Sequence, residues 1–219
     1  MTTDISYSQT PQSTFFLNVT GYKNSGKYLD FSRYGPIINN NTCSLELNYF
    51  YTGLSVINDY LTSQEWLGCP RNSNDMMYVY SENLSELFIK INEFYTDNVI
   101  DYLSVYLNPI TASYSMLSYF PLNKYKFAVI TFRHDFCKGF IVFINEREIF
   151  LKYGYRKVTK EYMATFDTSY PPIYLSEDWW IHPDLVNIPE EYLDQEIVDL
   201  TMEDLYAAGL PGYIQQQPE

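Results

Sequence analysis

The residues best suited to chemistry crowd into one short stretch, "TFRHDFCKGF", where His134, Asp135, Cys137 and Lys138 lie within five positions. A Cys–His pair can serve as nucleophile and base when the two are within hydrogen-bond reach and a third group orients the base. Nothing nearby supplies an oxyanion hole. His134-x-x-Cys137 could also begin a zinc site. Zinc takes four ligands, normally as two close pairs, and the remaining soft ligands, Cys43, Cys69 and His182, are scattered singly. The apolar alternation on both sides runs straight into the stretch, and Asp135 and Gly139 are turn formers. The pattern predicts the turn of a β-hairpin, with no metal ligand and no catalytic residue.

A second candidate is "SEDWWIHPDL", which sets Trp179 and Trp180 beside Glu177, Asp178, His182 and Asp184. Sugar-cleaving sites pair two carboxylates across a cleft, whereas these acids share one loop. The tryptophans read as a core plug or a contact anchor. "NSGK", Asn24 to Lys27, lacks the leading glycine and the trailing Ser or Thr of a phosphate loop. No cofactor site is expected. A hydrolase built on His134 and Cys137, or on the Trp179 loop, stands as a rival reading.

Charge is the strongest asymmetry. The chain has 219 residues and a formal net charge of −13. Residues 1 to 160 hold 14 acids and 14 bases, which cancel; residues 161 to 219 hold 13 acids and neither Lys nor Arg. Such a segment repels nucleic acid and anionic membrane and attracts basic surfaces. No run of about 18 apolar residues exists, so no membrane span is expected. The N-terminus lacks a secretory pattern, and three isolated cysteines fit a reduced intracellular setting.

Within the acidic segment, "DQEIVDLTMEDL" contains Ile197, Val198, Asp199 and Leu200: two β-branched residues, a spacer, then Leu. Glu196 to Thr201 resembles a SUMO-interacting motif. The resemblance implies docking on the edge of SUMO by β-augmentation, where backbone bonds give affinity and alternate side chains fill pockets. Ile197, Val198 and Leu200 would be the anchors, and Glu196, Asp199, Glu203 and Asp204 would face a basic rim. The same segment also has helical spacing, with Leu193, Ile197 and Leu200 on one face.

The elements that would hold these residues can be read from periodicity. "STFFLNVTGY", "KYLDF", "CSLELNYFY" and "MMYVY" suggest short strands, and "GLSVINDYLTSQEWLG" a helix. Leu84, Phe88, Ile91, Tyr95, Val99, Tyr102 and Tyr106 recur near a 3.6 period, which predicts one long amphipathic helix from Leu84 to Leu107. "KYKFAVITF", "KGFIVFIN" and "REIFLKYG" suggest three consecutive antiparallel strands. The expected organisation is a polar arm over 1–13, a single α+β domain over 14–187 and an acidic arm over 188–219. The domain is a mainly antiparallel sheet with one long helix across it. The expected function is a non-catalytic protein-interaction or assembly protein that docks a basic or sheet-edge partner. A Tyr- and Asn-rich, Gly-poor composition fits a virus-encoded protein. A self-associating particle component and an acidic nucleic-acid mimic are further rivals.

Overall fold

The computed structural model describes residues 12–69, 71, 74–78, 84–107, 112–133, 140–158 and 177–188. In chain order these form α1 (Gln12–Val19), β1 (Gly26–Ser32), α2 (Cys43–Tyr49), β2 (Tyr51–Ile57), α3 (Tyr60–Leu67), β3 (Asn74–Tyr78), α4 (Leu84–Phe94), β4 (Val99–Tyr106), α5 (Ala112–Tyr119), β5 (Lys126–Arg133), α6 (Phe140–Lys152), β6 (Arg156–Lys157) and β7 (Glu177–Ile181). Strands alternating with helices build parallel sheets. The seven strands lie in the order β3-β2-β1-β4-β5-β7-β6. The first five run parallel; β7 is antiparallel to β5, and β6 to β7.

This corrects the expected fold, which was a mainly antiparallel sheet crossed by one long helix. The stretch from Leu84 to Leu107 is α4 followed by β4, separated by residues 95–98. "CSLELNY" is helix α2, closed by Phe50 in the left-handed conformation (φ 56°). "FIVFINEREIFLK" is one helix, α6, rather than two paired strands, and "QSTFFLNV" is α1.

Helices cover both faces of the sheet, so its central strands are apolar on both sides, as parallel strands usually are. On one face Leu87 and Ile91 of α4, Met116 and Leu117 of α5 and Phe150 of α6 pack with Leu29, Phe31, Leu103, Val105 and Phe132. On the other, Phe15, Phe16 and Val19 of α1 and Leu45 of α2 pack with Tyr28, Tyr51, Tyr102 and Trp179. Gln12 and Ser13, assigned from sequence to the N-terminal arm, are buried in α1. Gly53 faces Tyr28 across the β1–β2 pair, and a Cβ there would lie 2.4 Å from the Tyr28 ring and carbonyl. Among the described residues, no helix is long and apolar enough to cross a membrane.

Candidate functional site

The parallel register brings the C-terminal ends of the strands to one edge: Ser32 lies opposite both Ile57 of β2 and Tyr106 of β4. The chain leaves β1 towards β2 and β3 on one side, then returns to β4 on the other. At such a reversal the connecting loops depart in opposite directions and open a crevice outside the carboxyl ends of the strands.

Residues 33–42 connect β1 to α2 and form one wall. A cleft of about 500 Å³ lies between this loop and α3, lined by Arg33, Tyr34, Ile38, Thr62, Glu65 and Cys69. Polar side chains beneath the loop set its shape. Buried Asp30 of β1 accepts from Asn40 Nδ2 at 3.2 Å and Thr42 Oγ1 at 3.4 Å. Burial pushes its carboxyl above the usual range, against the opposing pull of Ser104, Arg71, Asn40 and Thr42. Arg71 donates to Glu46 Oε2 (2.8 Å), Tyr28 Oη (2.8 Å), Asn40 Oδ1 (2.9 Å), the Pro36 carbonyl (3.1 Å) and Thr42 Oγ1 (3.1 Å). Asn41 Nδ2 donates to Ser104 Oγ of β4 at 3.0 Å. The N–H of Thr42, the N-cap of α2, donates to Asn40 Oδ1 at 3.0 Å.

Four polar residues mark the strand ends. Asp59, just after β2, caps α3 by accepting from the Thr62 N–H at 2.7 Å. The Thr62 hydrogen bonds hold its carboxyl below the usual range, with Arg33 adding to the effect. Tyr106 ends β4; Tyr34 Oη donates to Tyr106 Oη at 3.2 Å, and the rings meet edge to face at 5.1 Å. Burial, then this contact, pushes the Tyr34 phenol up to about 12. Arg33, after β1, and Arg133, ending β5, place their guanidinium carbons 5.8 Å and 4.1 Å from the Tyr106 ring centroid. The register partner of Arg133 is Glu177. That carboxylate is instead held by Gln12 Nε2 at 2.7 and 2.9 Å and by Trp179 Nε1 at 3.1 Å.

The residues singled out from sequence fare differently. Trp179 and Trp180 are both buried, but in strand β7 rather than a loop. Glu177 and Asp178 point to opposite sides of that strand. Asp178 is paired with Arg147 (2.6 Å) and Lys157 (3.2 Å), so no two carboxylates face each other there. His182 is buried against Tyr155, with its pKa lowered by burial. "RHDFCKG" does not turn a β-hairpin: it joins β5 to α6, and the antiparallel neighbour of β5 is β7. His134 and Cys137 themselves lie outside the described residues, as do Glu196, Ile197, Val198, Asp199, Leu200, Glu203 and Asp204. Among the described residues, no group of three His, Cys, Asp or Glu could hold a metal. Sequence reasoning missed Arg33, Asp59, Tyr106 and Arg133. They are isolated polar residues whose only common feature is a place at the end of a parallel strand.

No protein-family profile and no curated protein matches the chain. Solved structures similar to it include the Methanococcus jannaschii fibrillarin pre-rRNA processing protein, at a TM-score of 0.47 and 12% identity over 79% of this chain and 76% of that one. Another is M. jannaschii TYW2 in complex with AdoMet, at a TM-score of 0.40 and 10% identity over 81% and 78%. A doubly wound sheet, whose order reversal at β1 opens a crevice between the loops leaving β1 and β4, stands in place of the antiparallel scaffold, and the expectation of a non-catalytic docking or assembly protein is corrected with it. The expectation that the chain is not an enzyme, which came from the lack of a catalytic motif in the sequence, is corrected by the same crevice-forming topology.

Proposed function

We propose that the chain is an enzyme that binds an adenosine-type ligand without a pyrophosphate, with AdoMet the first to assay, at the crevice between β1 and β4. The observation that carries this is the reversal of strand order at β1, with Asp59 standing at the end of the neighbouring strand. In doubly wound sheets an acid beyond the first strand–loop–helix unit accepts the hydroxyls of a ribose. Asp59 is only partly buried and uses Oδ2 on Thr62. A carboxylate accepts through both oxygens, so Oδ1 is suited to a sugar diol.

The loop after β1 distinguishes the ligand class. Dinucleotide sites need a glycine-rich turn and an open helix N-terminus on which the pyrophosphate rests. Here the loop reads Arg33-Tyr34-Gly35-Pro36-Ile37-Ile38-Asn39, with a single glycine, and the helix that follows it, α2, is only seven residues long. A nucleoside with no pyrophosphate suits this edge better than NAD. Bound there, AdoMet would supply an electrophilic methyl group. The support is the strand order, the glycine-poor loop and Asp59, not the likeness to TYW2.

Isothermal titration of the full chain with AdoMet, with NAD as control, tests the reading. AdoMet should bind and NAD should bind at least tenfold more weakly. Asp59→Asn should weaken AdoMet by roughly tenfold, since a hydrogen bond to a charged acceptor contributes about 1.5–3 kcal/mol and Asn keeps part of it. The helix is preserved, because Asn caps as well as Asp. Equal affinity in wild type and variant, or tighter NAD binding, would overturn the proposal.

A further inference from the structure

Arg33 and Arg133 come from different strands yet converge on one aromatic ring, that of Tyr106. Neither forms an ion pair among the described residues. Both guanidiniums lie against the one ring and both act on the Tyr34 phenol, so the strand ends of β1, β4 and β5 carry a cationic cluster whose natural complement is an anion. The carboxylate best placed by register to neutralise Arg133 is Glu177, and it is committed to Gln12 and Trp179. Tyr106 holds both guanidiniums by cation–π contact. Their planar forks are thereby oriented without their donors being consumed. Tyr34, bonded to Tyr106 and with its phenol pushed up to about 12, stays protonated and adds a hydroxyl to the cluster.

We propose that Arg33, Tyr106 and Arg133 form the seat for the phosphate group of a phosphorylated small-molecule substrate, beside the nucleoside site. This rests on the reading that the strand ends of β1 and β4 are the ligand crevice. Charge selects phosphate over carboxylate. Two guanidiniums carry two positive charges, and a phosphate monoester carries about −1.5 to −2 at neutral pH with three acceptor oxygens. A carboxylate would match less of that charge, even with Asp59 acting on Arg33 from the side. Arginine forks also match phosphate geometry in a bidentate manner.

The test uses the full chain and three aromatic probes of similar size: phenyl phosphate, benzoate and phenol. Calorimetry at low salt should show phenyl phosphate binding most tightly, benzoate at least severalfold more weakly, and phenol not at all. Arg133→Gln and Arg33→Gln should each weaken phenyl phosphate by on the order of tenfold, and the double change should abolish it. Circular dichroism and melting on the same samples confirm that all three variants fold. AdoMet titrated against Arg133→Gln separates this inference from the preceding one. Unchanged AdoMet affinity with lost phosphate binding supports the phosphate seat. Loss of AdoMet affinity in that variant assigns Arg133 to the nucleoside ligand and overturns it. Phenyl phosphate binding that survives in the double variant, or that phenol matches, overturns it as well. If AdoMet fails to bind the wild type while phenyl phosphate behaves as expected, the nucleoside reading fails and the phosphate seat stands.

Discussion

Replacing Arg71 should loosen the loop that walls the cleft and destabilise the whole domain. The Arg71 and Glu46 side chains are each 3% exposed, and the ion pair between them is 2.8 Å long. Arg71→Met keeps most of the volume but leaves the Glu46 carboxylate buried without its counter-charge. Removing one partner of a buried pair typically costs about 3–5 kcal/mol. Four further acceptors also lose their donor: Tyr28 Oη, Asn40 Oδ1, Thr42 Oγ1 and the Pro36 carbonyl. For a domain of this size about 1 kcal/mol corresponds to roughly 2–4 °C in melting temperature, so the drop should be on the order of 6–20 °C. Differential scanning calorimetry measures it, and urea denaturation gives the free energy independently. Adding Glu46→Gln to Arg71→Met should recover part of the loss, because it removes the stranded charge. Amides of residues 33–42 should exchange faster in Arg71→Met than those of β4 and β5. A loss under about 1 kcal/mol, or a double variant worse than the sum of the two singles, would refute the view that Arg71 holds this loop through charge compensation.

Trp180, 1% exposed and stacked 5.0 Å from Phe150, should cost about 3–5 kcal/mol when changed to Ala, read by urea denaturation. Asp30 should make the fold less stable as pH rises. Its folded pKa lies above the unfolded value, so the folded state binds more protons in the window between them, and stability falls as pH climbs through it. Comparing Asp30→Asn with wild type across acid pH should show this component missing from the variant.

Some of this architecture was legible in the sequence. "KYLDF" lies in a strand, "MMY" ends β3, "KFAVITF" lies in β5, and the helical pattern beginning at Leu84 is real as far as Phe94. The errors share a physical origin. In a sheet covered on both faces, strands are apolar throughout and lose the period-2 signal. In β4 the residues from Tyr102 to Tyr106 are all buried, and three tyrosines happened to extend the period of α4 across the break at 95–98. The opposite failure occurred at α6, where "FIVFI" looks like a buried strand. The helix also buries Glu146 and Arg147, which fall where the two expected strands would meet. In α2, alternating Leu45 and Leu47 mimic a strand, although Leu47 is exposed. Once hairpins were assumed, no reversal of strand order could be inferred. Arg33, Asp59, Tyr106 and Arg133 then had no reason to be grouped, and attention went to the reactive side chains near Cys137.

The central claim is that the ligand crevice lies at the carboxyl ends of β1, β2 and β4. Backbone amide chemical-shift mapping of the labelled full chain during AdoMet titration tests it most directly. Shifts should concentrate at 33–39, at 58–62 and at Tyr106 and Leu107, and should fade in Asp59→Asn. Shifts confined to the opposite edge, around 23–27 and 97–101, or no saturable shift at millimolar AdoMet, would contradict the account.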